Sequence, residues 1–275
     1  MRALAPGPST VGNISPLPTA GLQRHFTRGV ASAERRAIVQ GLSPVVAQAA
    51  SQLSSPWSRA LLTLLPFEDM LVTPGDYRAF VAHRYRSAIV DGEYACDCGA
   101  FVTLQSSSHH LRCRCAQGAI IGRHNGVRDL LRDLLASSGR IVSVEDSMGV
   151  PPWINTDSRM DLVVGDMFTA EVHAVDVRVS TTDMPLHTAE DHAVAEKVAR
   201  YGARCNQLGW ALSTFFLTST GVPGPKTLIL LDKLVPGLAR VQLQSFQRSL
   251  SVVLARACGS AFRSCVPRTL LARRL

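Results

Sequence analysis

Lysine is almost missing from this chain. Of its 29 basic residues only Lys197, Lys226 and Lys233 are lysines, and the net charge is +8 across 275 residues. Arginine therefore carries the positive charge, and its always-ionised planar fork suits phosphate oxygens. Acidic residues are absent from the first 33 positions. The prolines of "MRALAPGPSTVGNISPLPTAG" oppose the amphipathic helix of a transit peptide, so residues 1–20 are expected to be a disordered segment. No apolar run approaches the roughly 18 residues that span a bilayer, which excludes a transmembrane helix and predicts no membrane partner. Neither His-Glu-x-x-His nor a His-x-Glu with Pro-Cys-x-x-Cys occurs, which argues against a zinc peptidase or deaminase and leaves His173 of "HAVDV" without a ligating role. No internal repeat is present. An odd count of seven cysteines with no secretory signal points to a reducing, intracellular compartment.

A mean composition of 46% hydrophobic and 18% charged residues is that of ordinary globular protein, enough for one full core. Residues 21–92 read as a helical region. In "SSPWSRALLTLLP", Ser55 is placed to cap, Pro56 to occupy the first turn and Pro66 to end the run. In "TPGDYRAFVAHRYRSAIV", Tyr77, Phe80, Val81 and Tyr85 recur at helical spacing as a core face. Arg78, His83, Arg84 and Arg86 then form a solvated face, or else line a nucleic-acid groove. Residues 93–118 are turn-rich. From Arg123 the pattern alternates: Asn125 is placed to cap a helix through Val127, Leu130, Leu131, Leu134 and Leu135 that Gly139 stops. Strands follow at "RIVSVE", "MDLVVGD" and "AEVHAVDVRVS", then a helix over 185–208, a strand at "WALSTFFLTST" and a closing amphipathic helix at "VQLQSFQRSLSVVLARACGSAF". Residues 119–220 thus form an α/β unit with a mixed sheet flanked by helices, and 221–275 a helical extension.

Two constellations carry chemistry. In "CDCGAFVTLQSSSHHLRCRC", Cys96 and Cys98 face His109, His110, Cys113 and Cys115. Four nitrogen or sulfur donors from two short turns make a tetrahedral zinc site, with either His109 and Cys113 or His110 and Cys115 completing it. Only one residue separates Cys96 from Cys98, fewer than usual, and thiols without a metal are the competing reading. The remaining Cys205, Cys258 and Cys265 sit among apolar neighbours as buried thiols. The second constellation is Asp161 and Asp176. Antiparallel pairing of their strands sets the carboxylates side by side for Mg²⁺ or Mn²⁺. Lys197 and Tyr201, at i and i+4 on the following helix, share the face from which a lysine could steady phosphoryl charge. Two strand-end aspartates and a solvated lysine would produce the same spacing.

Taken in order, "CDCG" with "HHLRC", "GRHNGVRDLL", "VSVED", "RMDLVV", "VDVRV", "EKVARY" and "FFLTSTG" resemble the C-terminal region of non-LTR retrotransposon reverse transcriptase proteins. There a zinc knuckle precedes a restriction-like endonuclease of the PD-(D/E)XK type. The resemblance covers roughly residues 50–265. It implies a restriction-endonuclease-like fold after a small Cys-Cys-His-Cys knuckle, and nicking of DNA at an insertion site to prime reverse transcription. Asp161 and Asp176 would hold Mg²⁺, Lys197 would be the displaced catalytic lysine, Tyr201 would support it, and Glu145 would be a further ligand or outer group. Arg123, His124, Arg128 and Arg178 would contact DNA. Met160 stands where the family has Pro, Asp146 follows Glu145 where Pro is usual, and Arg178 replaces the lysine of Asp-x-Lys. Implied partners are DNA, element RNA, and either a second copy or the reverse transcriptase portion of the same element. The implied location is the nucleus. A reverse transcriptase does not fit in 275 residues, so the chain reads as a fragment of a longer polyprotein. The alternative is a catalytically degenerate nucleic-acid-binding module or an inactive element remnant.

Overall fold

A computed structural model describes residues 57, 72–85, 93–102, 108–146, 159–166, 170–181 and 184–267, all within the unit Gln48–Leu275. The expected disordered segment at 1–20 and, apart from Trp57, the helix expected over "SSPWSRALLTLLP" lie outside the described residues. In chain order the elements are α1 (Pro74–Tyr85), β1 (Tyr94–Ala95), β2 (Phe101–Val102), two 3₁₀ turns (His109–Leu111 and Arg114–Ala116), α2 (Gln117–Ser137), β3 (Ile141–Asp146), β4 (Met160–Gly165), β5 (Val172–Ser180), α3 (Leu186–Leu208), β6 (Ala211–Thr218), α4 (Pro225–Leu234) and α5 (Arg240–Cys265). Among the described residues no helix is long and apolar enough to cross a membrane.

The fold is mixed α/β, built on a four-stranded sheet of order β3-β4-β5-β6. Neighbours are antiparallel except β5 and β6, which run parallel with Asp176 beside Thr214. A parallel pair needs a crossover, and α3 supplies it. Period-two alternation divides the sheet's side chains between two faces. Leu162, Val164, Val175, Val177, Phe215 and Leu217 meet Val127, Leu131 and Leu135 of α2 and Phe246, Leu250 and Leu254 of α5 in one core. On the other face Val163 and Ala174 pack with Tyr201 and Cys205 of α3, and Phe216 packs with Ala189 and Ala193. Gly139 and Gly209, at φ +82° and +68°, close α2 and α3 in the left-handed conformation that glycine adopts without strain.

Three expectations are corrected. The helix expected to start at Asn125 begins at Gln117, with Ala116 at the cap position and no side-chain cap. Asn125 lies in its third turn, and "AQGAIIG" runs from the end of the preceding 3₁₀ turn into the helix. The turn Arg114–Ala116 runs directly into α2, and Ile120 packs on the core. This packing outweighs the low helix propensity of Gly118 and Gly122. In α1 the buried face is Asp76, Ala79, Phe80, His83 and Arg84, whereas Tyr77 is 40% exposed and Val81 is only partly buried. His83 and Arg84 are therefore not on a solvated face. Helix α1 packs on α5, where Asp76 pairs with Arg263 and sits over Gly259. The imidazole Nε2 of His83 lies 2.8 Å from the Ser219 hydroxyl, and the Arg84 guanidinium stands 5.9 Å from the Phe80 ring. Buried polar groups follow their partners, which helical spacing does not encode.

Candidate functional site

Two groups of residues are brought together. The first is a small cluster of cysteine and histidine side chains. β1 and β2 pair antiparallel as a hairpin. Its loop is closed by the Cys96 amide donating to Ala100 O at 2.9 Å and the Gly99 amide to Cys96 O at 2.8 Å. Gly99 has φ +91°, so the one-residue spacing of Cys96 and Cys98 is accommodated by a left-handed glycine. Cys113 Sγ lies 3.6 Å from Cys96 Sγ, and His109 Nε2 lies 3.4 Å from Cys98 Sγ. The ligand atoms of Cys96, Cys98, His109 and Cys113 all lie within 4.8 Å of one another and could hold a metal ion. With Zn–S of about 2.3 Å and Zn–N of about 2.0 Å, the edges of a tetrahedral site are ~3.8 Å between sulfurs and ~3.5 Å between sulfur and nitrogen. The donor set and spacing therefore fit zinc. Backbone amides of Ala100 and Cys115 point at Cys98 Sγ and Cys113 Sγ, each at 3.4 Å. Burial alone would raise the Cys113 thiol, but the Cys115 amide and the neighbouring thiols outweigh it and bring it down to about 6. A thiolate is the form that ligates.

Of the alternatives left by the sequence, His110 turns away: its Nε2 lies 3.6 Å from Cys258 Sγ. Burial, then the neighbouring His109 and Arg123, lower it to about 4. Cys115 lies outside the four-residue group.

The second group lines a cleft of ≈ 620 Å³ that takes in Arg123, His124, Asp161, Asp176, Arg178, Lys197 and Tyr201. β4 and β5 pair Leu162 with Val175, and one step further in that register sets Asp161 opposite Asp176. Each aspartate is held. Asp161 accepts from the Val177 amide at 2.7 Å and lies 3.0 Å from His124 Nε2. Asp176 Oδ1 lies 3.0 Å from Lys197 Nζ, while Asp176 Oδ2 is buried with no hydrogen-bond partner. Burial, then the charge of Asp161, raise the Asp176 carboxyl above the ordinary range, and Lys197 opposes the rise. Lys197 Nζ stands 5.8 Å from the Tyr201 ring, as the i, i+4 spacing requires.

Glu145 and Arg128 are not in the cleft. They pair with each other, and Arg128 also donates to Asp129 at 3.0 and 3.1 Å. Glu145 adopts φ +52° between the β3–β4 pairs Val144–Leu162 and Asp146–Met160, so it leaves the ladder where Asp161 stands. His173 is buried, with Nε2 at 3.3 Å from Glu171. Sequence reasoning missed Arg112, Arg159 and Thr181, which also line the cleft. Arg112 immediately precedes Cys113 of the Cys/His cluster, but no spacing rule marks a residue between two members of a cluster as facing another site. No protein-family model matches the chain, and no curated protein sequence matches it.

Proposed function

We propose that the chain is a metal-dependent DNA endonuclease, the target-site nicking module of a retrotransposon-type element and part of a longer reverse transcriptase polyprotein acting in the nucleus. The observation that carries this reading is the convergence of Asp161, Asp176 and Lys197 in one basic cleft. The order helix, strand ending in an acid, Asp strand, Asp-Val strand, and helix bearing Lys and Tyr supports it element by element. A divalent cation fits the acid pair because the Asp176 Oδ2 is an oxygen donor with no other partner and the two carboxylates repel, which suits a hard ion such as Mg²⁺ or Mn²⁺. When bound there, such an ion would polarise the phosphoryl group and acidify a coordinated water.

The chain's own groups supply the rest. Lys197, held by Asp176, is placed to offset negative charge on a phosphoryl oxygen. Tyr201 walls the lysine from one side. His124 and the Val177 amide fix the rotamer of Asp161, so the acid pair is preorganised rather than mobile. Zinc at Cys96, Cys98, His109 and Cys113 would be structural, since its four donors leave no open position.

In supercoiled plasmid with Mg²⁺ or Mn²⁺, the chain is expected to produce nicked circles, and Asp176→Ala to lower the rate at least 100-fold. Equal nicking by the variant would reject the assignment. A binding module without cleavage is favoured by one observation: both Asp161 oxygens already have protein partners. In that case DNA binding persists in Asp176→Ala, falls steeply with salt, and no divalent ion yields nicked product.

A further inference from the structure

Among the described residues no carboxylate pairs with Arg123. Its side chain is 5% exposed, lines the cleft, and has Nε and Nη1 buried without a hydrogen-bond partner. Burial draws the guanidinium down to about 10, so it is still charged at neutral pH. The groups that sense it are His110 and Cys258. A histidine ring is neutral or positive, never negative. The Cys258 thiol is pushed up to about 12 by its own burial and is neutral as well. The two carboxylates of the cleft are engaged elsewhere, Asp161 by His124 and the Val177 amide and Asp176 by Lys197. A buried guanidinium whose Nε and Nη1 lack acceptors is destabilising compared with an apolar side chain of its size. Stability therefore does not explain why arginine occupies this position.

We propose that Arg123 is a phosphate subsite of the cleft, separate from the Asp161–Asp176 pair, in which its planar fork takes two oxygens of a phosphate on a bound DNA strand. The subsite rests on the reading of the cleft as a nucleic-acid site, and not on cleavage. The fork geometry matches a phosphate bidentately. A phosphate in DNA is one of a repeated series, and the same cleft carries Arg112, Arg159 and Arg178 as well as Thr181, whose Oγ1 is also buried without a partner. The acid pair repels phosphate unless a cation intervenes, whereas Arg123 attracts it without one. The Arg123 subsite therefore fills in magnesium-free buffer.

The test is thermal unfolding of the full chain in magnesium-free buffer, with and without inorganic phosphate, beside Arg123→Met and Asp176→Asn. Phosphate stabilises many proteins by exclusion from their surface, so the informative quantity is the difference between variants. Arg123→Met is expected to unfold at a higher temperature than the wild type without phosphate. It should also lack the extra rise of a few degrees that the wild type and Asp176→Asn show with phosphate. A variant that is less stable than wild type and gains as much from phosphate would overturn the subsite. If Arg123→Met does not fold, the wild-type Nε–H resonance of Arg123, assigned through Arg123→Lys, decides: it must move on phosphate addition, and a stationary signal overturns the proposal.

Short single-stranded DNA with and without a 5′-phosphate distinguishes the source. Protection by both assigns an internal phosphodiester, protection by the phosphorylated strand alone assigns a strand end, and protection by neither rejects the site. A phosphate response at Arg123 with no nicking under any divalent ion retains the subsite and rejects the nuclease. Nicking abolished by Asp176→Ala with no response at Arg123 does the reverse.

Discussion

Asp161 and Asp176 face each other across two antiparallel strands, and the charge of one contributes to raising the carboxyl of the other above the ordinary aspartate value of 3.8. Burial is the larger cause, so removing Asp161 should lower the Asp176 titration without restoring it fully. Each unit of such a shift corresponds to about 1.4 kcal/mol between the two protonation states. Because the folded value is raised, the contribution of Asp176 to stability is complete below the unfolded value and is lost as pH rises through the folded one. We therefore expect the Asp176 side-chain carboxyl ¹³C signal to titrate at lower pH in Asp161→Asn than in wild type. The urea midpoint of the variant should then fall less as pH rises from 3.8 through the acid range. An unshifted titration would mean that the two carboxylates do not share a site. Magnesium should have the same direction of effect on Asp176 in the wild type, since a cation at the pair favours its ionised form.

Helix α4 is tied to α3 by a contact that no local pattern foretells. Glu190, with no exposed surface, accepts from the amides of Lys226 and Thr227 at 2.9 and 2.8 Å and from the Thr227 hydroxyl at 2.9 Å. A carboxylate on one helix thus caps the first turn of another and complements its dipole. Gly224 is required beside it, because a Cβ there would meet the Glu190 carboxylate at 2.2 Å. Glu190→Ala leaves the Lys226 and Thr227 amides without their acceptor, while the Thr227 hydroxyl keeps the Phe216 carbonyl at 3.1 Å, and should lower stability by about 2 kcal/mol, read as a drop in the urea midpoint at unchanged slope. Gly224→Ala should act in the same direction, and Asp191→Ala, whose partner Lys226 is half-exposed, should change little.

The same contrast explains what the sequence made legible. The strands at 141–146, 160–165, 172–180 and 211–218 and the helices ending at Leu208 and Cys265 follow from alternation, helical period and glycine stops. Asp161, Asp176, Lys197 and Tyr201 meet because strand register and i, i+4 spacing are themselves sequence quantities. The inner face of α1, the start of α2, the Glu190 cap and the placement of Arg112 and Thr181 along the cleft are fixed by partners far away in the chain. Only the fold supplies those.

At the scale of the whole molecule, the Cys/His cluster and the cleft are not independent. Cys96, Cys113, Tyr94, Val102 and Leu111 belong to the same hydrophobic core as Val127, Leu131, Leu162, Phe215 and Leu250. Helix α2 starts beside the second 3₁₀ turn of the cluster and carries Arg123 and His124 into the cleft, while Leu111 and Arg112, between the donors His109 and Cys113, form part of the cleft wall. A bead tethered by a linker would unfold alone when its metal is removed. A cluster embedded in the common core would take part of the core with it. Metal that binds only the folded form stabilises by mass action, about 2.7 kcal/mol when it is present at 100 times its dissociation constant. For a domain of this size that corresponds to roughly 5–10 °C. Chelation should therefore lower the main calorimetric transition by that amount and keep it single. The Cys98→Ser variant should resemble the chelated wild type, whereas Cys115→Ser, outside the donor group, should respond to chelator as the wild type does. A main transition that stays in place, with a separate small one appearing below it, would assign the cluster to an autonomous knuckle and sever the path from metal to cleft.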